Sequence, residues 1–336
     1  MTRCERTIAA INHQNTDIVP YNMYFTSQQH EKMAEYFSDP HFIDKIGNHS
    51  EGSYYSGYKS EISLGSGYWK DDFGVVWNRN GTDKDIGVID GIVLKNPSME
   101  GYEFPELDEK RFRNELQELI DKADDKFKIA GIGYSLFERA WSLRGMENIL
   151  MDMILEPKFV DQLFDAITEF NIKIIDIALE YDINCFHFGD DWGQQKGMIM
   201  GPINWRKFIK PRMKIMYEKI KSRGIIVSQH SCGDIREVLP DLIDIGLDIF
   251  RTFQPEIYDL KNIKAEYGND ITFWGGISTQ SLLPFESPVT IKKVVLETID
   301  IMSKSGGYVL APTHAIAGDV PIENIVALID VFQNQK

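Results

Sequence analysis

The chain has 336 residues, of which 43% are hydrophobic and 26% are charged, and its formal net charge is -15 at pH 7. These proportions are those of an ordinary globular protein, long enough for one large domain or two small ones. The acidic balance argues against a nucleic acid as partner, and no apolar stretch approaches the ~18 residues of a membrane span.

The N-terminus and the cysteines predict a cytoplasmic protein. The segment from Met1 to Arg6 has no apolar region of the kind that a secretory signal requires. The three cysteines, Cys4, Cys185 and Cys232, lie far apart in the sequence and do not form a disulfide framework. Such a sparse, odd set fits a reducing compartment.

Short apolar segments predict strands at regular intervals, most clearly in the last two thirds of the chain. The predicted strands are Ile18 to Phe25, Lys128 to Tyr134, Ile183 to Gly189, Ile225 to His230, Asp248 to Phe253, Ile271 to Gly276 and Tyr308 to Ala311. An eighth strand is expected somewhere within Tyr68 to Trp77, where Val75-Val76-Trp77 is the best local signal.

Helical patterns separate these strands and decide the fold class. Asp234 is a plausible N-cap, and Pro321 stands at a natural helix start. The predicted helices are Leu107 to Asp125, Gly145 to Leu155, Pro157 to Tyr181, Asn204 to Arg223, Asp234 to Ile245, Val289 to Ser305 and Ile322 to Phe332. Strands that alternate with helices favour an α/β fold, a (β/α)8 TIM barrel formed by residues 1–336 as one domain. A doubly wound sheet is the alternative, but no Gly-x-Gly-x-x-Gly segment opens a helix.

The segment 52–102 differs from the rest, because it is rich in Gly, Tyr, Ser and Asp and alternates only over short distances. This pattern predicts a β-rich insertion or a lid over the barrel mouth.

Polar residues that follow the predicted strands carry the candidate chemistry, since active sites of barrels lie at the carboxyl ends of the strands. His230 and Cys232 follow one strand, and His314 follows another. Two ligands on one loop and a third on a second loop match a catalytic zinc with an open position. The alternative is that Cys232 is a small buried residue and that His230 is hydrogen-bonded in the core.

Three carboxylates are candidates for acid–base work. Asp190 and Asp191 follow a strand, and either could complete a zinc shell or act on substrate, or else cap a turn and pair with a cation. Strand alternation slightly favours Asp190 as the inward-facing one. Glu138 beside Arg139 is a further candidate, with a structural ion pair as the alternative. The candidate substrate-binding residues near the barrel mouth are Trp192, Gln254, Trp274 and Gln280.

With these residues the chain resembles a known family, the uroporphyrinogen decarboxylase superfamily, and within it the zinc-dependent methyltransferases that work with corrinoids. The resemblance covers essentially the whole chain and implies a (β/α)8 barrel. Its most specific stretches are Phe137-Glu138-Arg139-Ala140-Trp141, Gly189-Asp190-Asp191-Trp192-Gly193, His230-Ser231-Cys232-Gly233-Asp234, Phe273-Trp274-Gly275-Gly276-Ile277 and Ala311-Pro312-Thr313-His314.

The two branches of this superfamily differ at positions that the sequence shows. The decarboxylases carry an arginine-rich N-terminal segment and a Phe-Ser-Asp-Ile-Leu stretch, whereas Tyr21 to Gln29 here contains no Arg and that stretch is absent. The methyltransferases bind zinc through His-x-Cys and a later Cys. His230 and Cys232 match the pair, but His314 stands where the later Cys is expected, so it is either a third ligand or a substrate contact.

The resemblance therefore implies a methyltransferase that moves a methyl group between a small methylated compound, such as a methoxy compound, and a corrinoid protein (O-demethylation). The implied cofactors are Zn²⁺ and a cobalamin supplied by that partner protein. Two other hypotheses stay open. One is a metal-free lyase for an organic acid, which needs a positioned Arg, with Arg139 and Arg251 as candidates; the other is a non-catalytic relative that binds a ligand. The oligomeric state is open, with a homodimer as one option.

Overall fold

The computed structural model describes residues 1–57, 62–80 and 87–335. Parts of the predicted insertion, residues 58–61 and 81–86, lie outside the described residues. The strands are β1 (Ser50–Tyr55), β2 (Ile62–Gly65), β3 (Tyr68–Lys70), β4 (Val76–Asn78), β5 (Val88–Ile89), β6 (Phe127–Ile132), β7 (Cys185–Gly189), β8 (Gly193–Gln194), β9 (Gly197–Met198), β10 (Ile226–His230), β11 (Ile249–Phe253), β12 (Thr272–Ile277) and β13 (Tyr308–Pro312).

Helices follow or separate the strands of the main sheet. They are α1 (Arg3–Ile11), α2 (Ser27–Phe37), α3 (Phe42–Ile46), α4 (Glu109–Ala123), α5 (Phe137–Arg144), α6 (Met146–Leu155), α7 (Pro157–Ala178), α8 (Gly201–Asn204), α9 (Lys210–Lys221), α10 (Leu239–Asp244), α11 (Leu260–Tyr267), α12 (Leu282–Phe285), α13 (Pro288–Met302) and α14 (Ile322–Gln333). None of the helices in the described ranges is long and apolar enough to cross a membrane.

The main sheet is parallel and curls into a barrel in the order β1-β6-β7-β10-β11-β12-β13. Its two edges are joined by the extended segment 21–25. Tyr21 bridges Leu310 of β13, and the carbonyl of Tyr21 accepts a hydrogen bond from the amide of His49, just before β1. The (β/α)8 prediction is therefore confirmed, with segment 21–25 standing at the position of the first strand.

The second barrel strand is β1, which the sequence analysis missed, and the expected strand around Val75 lies elsewhere. β1 carries glycine and tyrosine at inward positions instead of an apolar run. A Cβ atom on Gly52 would meet the Tyr54 ring, and one on Gly131 of β6 would meet both that ring and His187. These glycines therefore make room for Tyr54 inside the barrel. Val76–Asn78 belongs to a separate four-stranded antiparallel sheet, β2-β3-β4-β5.

That second sheet is the β-rich part of the predicted insertion, which begins after β1 instead of at residue 52. It is anchored to the barrel by a buried ion pair between Asp71 and Arg139 of α5, with Nη1 and Oδ2 3.0 Å apart. Asp71 also accepts hydrogen bonds from the amides of Phe73 and Val75 and from the Trp77 indole. The ion pair of Arg139 is thus formed with Asp71 and not with the neighbouring Glu138.

Two predicted helices are broken in the structure. The helix expected over Asn204 to Arg223 consists of α8, a π-helical turn over Trp205–Ile209, and α9. The helix expected from Asp234 begins later, with a 3-10 turn over Arg236–Val238 before α10. Asp234 still accepts a hydrogen bond from the Arg236 amide, as a local cap.

The hydrophobic core has two parts. The larger one fills the space between the strands and the surrounding helices. The smaller one fills the lower barrel interior, below the site described next, and its buried members are Ile11, Phe127, Ile129, Cys185, Ile249, Trp274, Val309 and Ala311.

Candidate metal centre and active site

The candidate site lies where β7 and β10, which are neighbours in the barrel, reach their carboxyl ends. The register pairs Gly189 with His230, so the residues that follow Gly189 lie beside the loop that follows His230. Gly233 turns that loop with a φ of 75°, and a Cβ atom there would collide with the backbone of Gly193. The close approach of the two loops thus depends on glycine at this position.

Three donor side chains converge at this point. Nε2 of His230 is 3.2 Å from Oδ1 of Asp191 and 3.5 Å from Sγ of Cys232. One donor atom from each of the three residues lies within 4.8 Å of the other two. The backbone also holds the group together, since the amide of Cys232 donates to Oδ1 of Asp191 at 2.8 Å.

The charges of this group support one another. Burial opposes a positive charge on His230, but the adjacent Cys232 and Asp191 outweigh it and raise the pKa of His230 well above its usual value. Burial raises the pKa of Asp191, yet its hydrogen bonds with His230 and Cys232 prevail and lower that pKa to about 2. A cation bound here would replace the His230 proton.

These residues fit zinc by the chemistry of their donors. An imidazole nitrogen, a thiolate and a carboxylate are all ligands that zinc accepts, and three protein ligands leave the fourth position for substrate. The other ring nitrogen of His230, Nδ1, lies 2.9 Å from Oγ1 of Thr252, a contact that fixes the ring orientation. Because Nδ1 is engaged with Thr252, Nε2 is the ring nitrogen that a metal would bind.

The third member of this group is Asp191, where the sequence predicts His314. The ring centroids of His230 and His314 are 6.1 Å apart, and His314 is an exposed residue on the cavity wall. His314 therefore lies outside this donor group and on the cavity wall, the position that the second of its two sequence interpretations, a substrate contact, requires. Asp191 could complete the ligand shell of a metal because its Oδ1 lies 3.2 Å from Nε2 of His230.

Asp190 does not face the cavity, contrary to the alternation argument. It is fully buried, and its carboxylate accepts hydrogen bonds from the amides of Leu136, Phe137 and Glu138 at the start of α5. The Trp192 indole donates to the same carboxylate at 2.6 Å. Asp190 thus caps a helix, whereas Asp191 lies on the cavity wall, because the strand alternation ends at Gly189.

A cavity of about 500 Å³ opens beside the three donors. Its walls come from segment 21–25 and from most of the barrel strands. The lining residues include Asn22, Tyr24, Tyr54, Tyr134, Glu138, His187, Asp191, His230, Arg251, Thr252, Trp274 and His314. A space of this size suits a small organic ligand.

Glu138 is a carboxyl group on the wall of this cavity. Burial, followed by the negative charges of Asp191 and Asp190, raises the pKa of Glu138 well above its usual value. The backbone amide of Glu138 donates a hydrogen bond to Oδ1 of Asp190 at 2.7 Å, which fixes the position of Glu138. A carboxyl group that keeps its proton in a cavity can serve as a general acid.

Of the four residues predicted to bind substrate, Trp274 lines the cavity and the other three do not. Trp192 is fully buried and packs on Trp205 at 5.4 Å. The Oε1 atom of Gln254 accepts the amide of Gly233 at 2.8 Å, so Gln254 shapes the loop that carries Cys232. Gln280 is exposed outside the cavity.

Several cavity residues were missed or underrated. His187 is 8% exposed and bonds to Ser228 through Nδ1 at 3.0 Å, as a core histidine would, but it also lines the cavity. Asn22 and Tyr24 alternate along segment 21–25, and this period of two was the signal that could have identified them. Arg251 had been noted only as a candidate for binding an acid.

Comparison with protein families adds an identification. The model of the family described as uroporphyrinogen decarboxylase (URO-D) matches residues 87–335, well over half of the chain. The chain belongs to the uroporphyrinogen decarboxylase family. None of the curated protein sequences compared with it matches.

Solved structures agree on the fold. A methyltransferase from Methanosarcina mazei superposes with a TM-score of 0.76 at 19% identity, covering 99% of this chain and 98% of that one. A 3-keto-D-glucoside 4-epimerase from E. coli has 12% identity and a TM-score of 0.46, covering 95% of this chain and 99% of that one. The first likeness shows the barrel fold, and the TM-score of the second is too low to support a conclusion.

Proposed function

We propose that the protein is a zinc-dependent methyltransferase that moves a methyl group between a small methylated compound and the corrinoid of a separate protein. The observation that carries this proposal is the group of Asp191, His230 and Cys232, of which Asp191 and His230 line the cavity. Zinc accepts each of these three donors, and three protein ligands leave the open position that a catalytic zinc site needs.

The comparisons support the same class of reaction. The Methanosarcina mazei protein that shares the fold over nearly its whole length is described as a methyltransferase. The cavity of about 500 Å³ suits a small methylated compound. A corrinoid with its nucleotide loop is much larger, so we infer that it approaches from a partner protein.

The reaction, written for demethylation, balances as follows. The bond between the methyl carbon and the substrate heteroatom breaks, and a bond between that carbon and cobalt forms. The electron pair of the new bond comes from Co(I), which becomes Co(III). The heteroatom keeps the pair of the broken bond and takes up one proton.

The residues divide the work of this reaction. His230, Asp191 and Cys232 would hold the metal, and Thr252 would orient the His230 ring. The chemistry that zinc supplies when bound is that of a Lewis acid at the substrate heteroatom, or a site for a thiolate or alkoxide. Glu138 would deliver the proton that the departing heteroatom requires, and His314 would contact the substrate.

The test combines metal analysis with a transfer assay. Purified protein is expected to contain one zinc per chain, and Cys232→Ala to lose it, whereas Cys4→Ala keeps it because Cys4 lies far from the site. The assay incubates the protein with methoxy compounds and cob(I)alamin and follows methylcobalamin by its absorbance. Wild-type protein that binds no zinc under reducing conditions would overturn the proposal.

A second candidate function, a lyase acting on an organic acid, is favoured by one observation. Arg139 is bound to Asp71, but Arg251 lines the cavity, as the acid hypothesis requires. The two functions differ in their products, so the same incubations are analysed for carbon dioxide. Carbon dioxide released without methyl transfer, in metal-free protein, would select the lyase.

A further inference from the structure

One wall of the cavity presents hydrogen-bond donors that have no acceptor. Arg251 Nη1, Tyr24 Oη, Asn22 Nδ2 and Trp274 Nε1 are buried atoms without a hydrogen-bond partner among the described residues. All four residues line the cavity. Buried polar groups are nearly always paired in folded proteins, so several orphans facing one space indicate a missing ligand.

Arg251 is the centre of this group. Its guanidinium lies 4.3 Å from the centroid of the Trp274 ring, and Tyr54 is close enough to help keep it charged against the effect of burial. No carboxylate of the described residues forms an ion pair with it. A buried cation without a counter-ion is costly, and an anionic ligand would remove that cost.

The other three donors line the same cavity, and two of them, Trp274 and Tyr24, lie near the guanidinium. The indole of Trp274, which is 2% exposed, lies against Arg251, and its Nε1 has no acceptor. Burial, followed by the nearby Tyr24, raises the pKa of Tyr54, and Tyr24 is also close enough to help keep Arg251 charged. Asn22 is 1% exposed and two residues before Tyr24, and its Oδ1 is already used by the Ser50 amide. The hydrogen-bonding atoms that lack a partner on this wall are thus predominantly donors.

We propose that this wall, defined by Asn22, Tyr24, Arg251 and Trp274, binds a carboxylate group of the substrate. A carboxylate is planar, carries one negative charge and accepts up to four hydrogen bonds, which matches a guanidinium and its neighbouring donors. The methylated substrate is therefore a carboxylic acid.

The position of this carboxylate wall relative to Asp191, His230 and Cys232 indicates how such a substrate would be oriented in the cavity. In the ring of barrel strands, segment 21–25 stands opposite β10, which carries His230, while Arg251 pairs with His230 in the register of β10 and β11. An acid anchored at the carboxylate wall can extend its methylated end toward Asp191, His230 and Glu138. The inference rests on the proposed function for the identity of that reacting end.

The test measures binding with matched pairs of probes. 4-Methoxybenzoate is compared with 4-methoxybenzyl alcohol, and methoxyacetate with 2-methoxyethanol, by calorimetry and by thermal shift on zinc-loaded protein. We expect at least one acid to bind about 10- to 100-fold more tightly than its neutral counterpart, as expected for charge-assisted hydrogen bonds. If no acid binds better than its alcohol, the proposal is overturned.

Three variants localise the effect. Arg251→Met should abolish the preference for the acid, and Tyr24→Phe should reduce it about 3- to 10-fold. The surface variant Arg223→Met is the control and should behave as wild type. Because Arg251→Met removes an unpaired buried charge, its thermal unfolding without ligand should not fall below that of wild type, so lost binding is not lost folding. An acid preference that survives in Arg251→Met would also overturn the proposal.

The experiments distinguish a failure of the carboxylate wall from a failure of the methyltransferase function. Acid binding that depends on Arg251, without methyl transfer to cob(I)alamin, supports the carboxylate wall and contradicts the methyltransferase. Methyl transfer from the neutral ethers at the same kcat/KM as from the acids contradicts the carboxylate wall and supports the methyltransferase.

Discussion

His230 Nε2 lies 3.2 Å from Asp191 Oδ1, and this contact joins the carboxyl ends of two neighbouring barrel strands. It makes Asp191 the third member of the candidate metal-binding group, beside His230 and Cys232. His314 lies in the loop after β13, and its ring centroid is 6.1 Å from that of His230.

The first prediction separates these two residues. Asp191→Ala removes a ligand and should weaken zinc binding by more than the roughly 10- to 100-fold typical of residues outside the ligand shell. His314→Ala should keep zinc affinity within about threefold, since it removes no ligand, while raising KM for substrate. Zinc affinity is measured by competition with a chromophoric chelator. The opposite ranking would restore His314 as the ligand.

The second prediction concerns the support of His230. Thr252→Val keeps the shape of the side chain but removes the hydroxyl that lies 2.9 Å from Nδ1. Zinc affinity should fall about 10-fold, because outer hydrogen bonds orient a metal-binding histidine. Thr298→Val makes the same change at a buried position on α13 and should leave the affinity unchanged. Equal affinities in wild type and Thr252→Val would show that Thr252 does not support the ligand.

The third prediction assigns Asp190 to structure. Asp190→Ala leaves three backbone amides and the Trp192 indole without an acceptor, so the free energy of unfolding should fall by at least about 2 kcal/mol. Denaturant unfolding measures this loss. Asp300→Ala, which removes an exposed i,i+4 ion pair with Lys304, should change stability by less than about 0.5 kcal/mol. A stable Asp190→Ala variant with lost catalysis would instead make Asp190 catalytic.

The fourth prediction follows from the raised pKa of Glu138. A carboxyl group with a raised pKa stays protonated to higher pH, so an activity that needs its proton should decline as pH rises through that pKa. Glu138→Gln cannot transfer a proton and should lower kcat by roughly 100-fold or more, without this alkaline decline. Glu147→Gln, on an exposed face of α6, should keep both rate and pH profile. A Glu138→Gln enzyme with the wild-type profile would remove the proposed proton donor.

The sequence predicted the barrel well because its strands after residue 127 are short apolar runs between amphipathic helices. It missed β1, whose inward residues are Gly52 and Tyr54. A strand built from glycine and tyrosine has no apolar period to detect. The ring of Tyr54 fits only because Gly131 on the adjacent strand also lacks a side chain.

The site shows the same limit of pattern reasoning. The pair His230 and Cys232 was visible, since both follow one strand at a spacing that permits a shared ion. The choice between Asp190 and Asp191 was not, because it depends on which carboxylate meets the amides of α5 after the alternation of β7 ends. The orphan donors of this wall come from three separate segments of the chain, 21–25, β11 and β12, so only the folded chain shows their convergence.

The most direct test of the central claim is X-ray absorption at the zinc edge on the purified protein. We predict one zinc per chain with a single sulfur ligand at about 2.3 Å and nitrogen or oxygen ligands at about 2.0–2.2 Å. The sulfur contribution should vanish in Cys232→Ala and persist in Cys4→Ala. A zinc-free protein, or a shell whose sulfur does not depend on Cys232, would contradict the account.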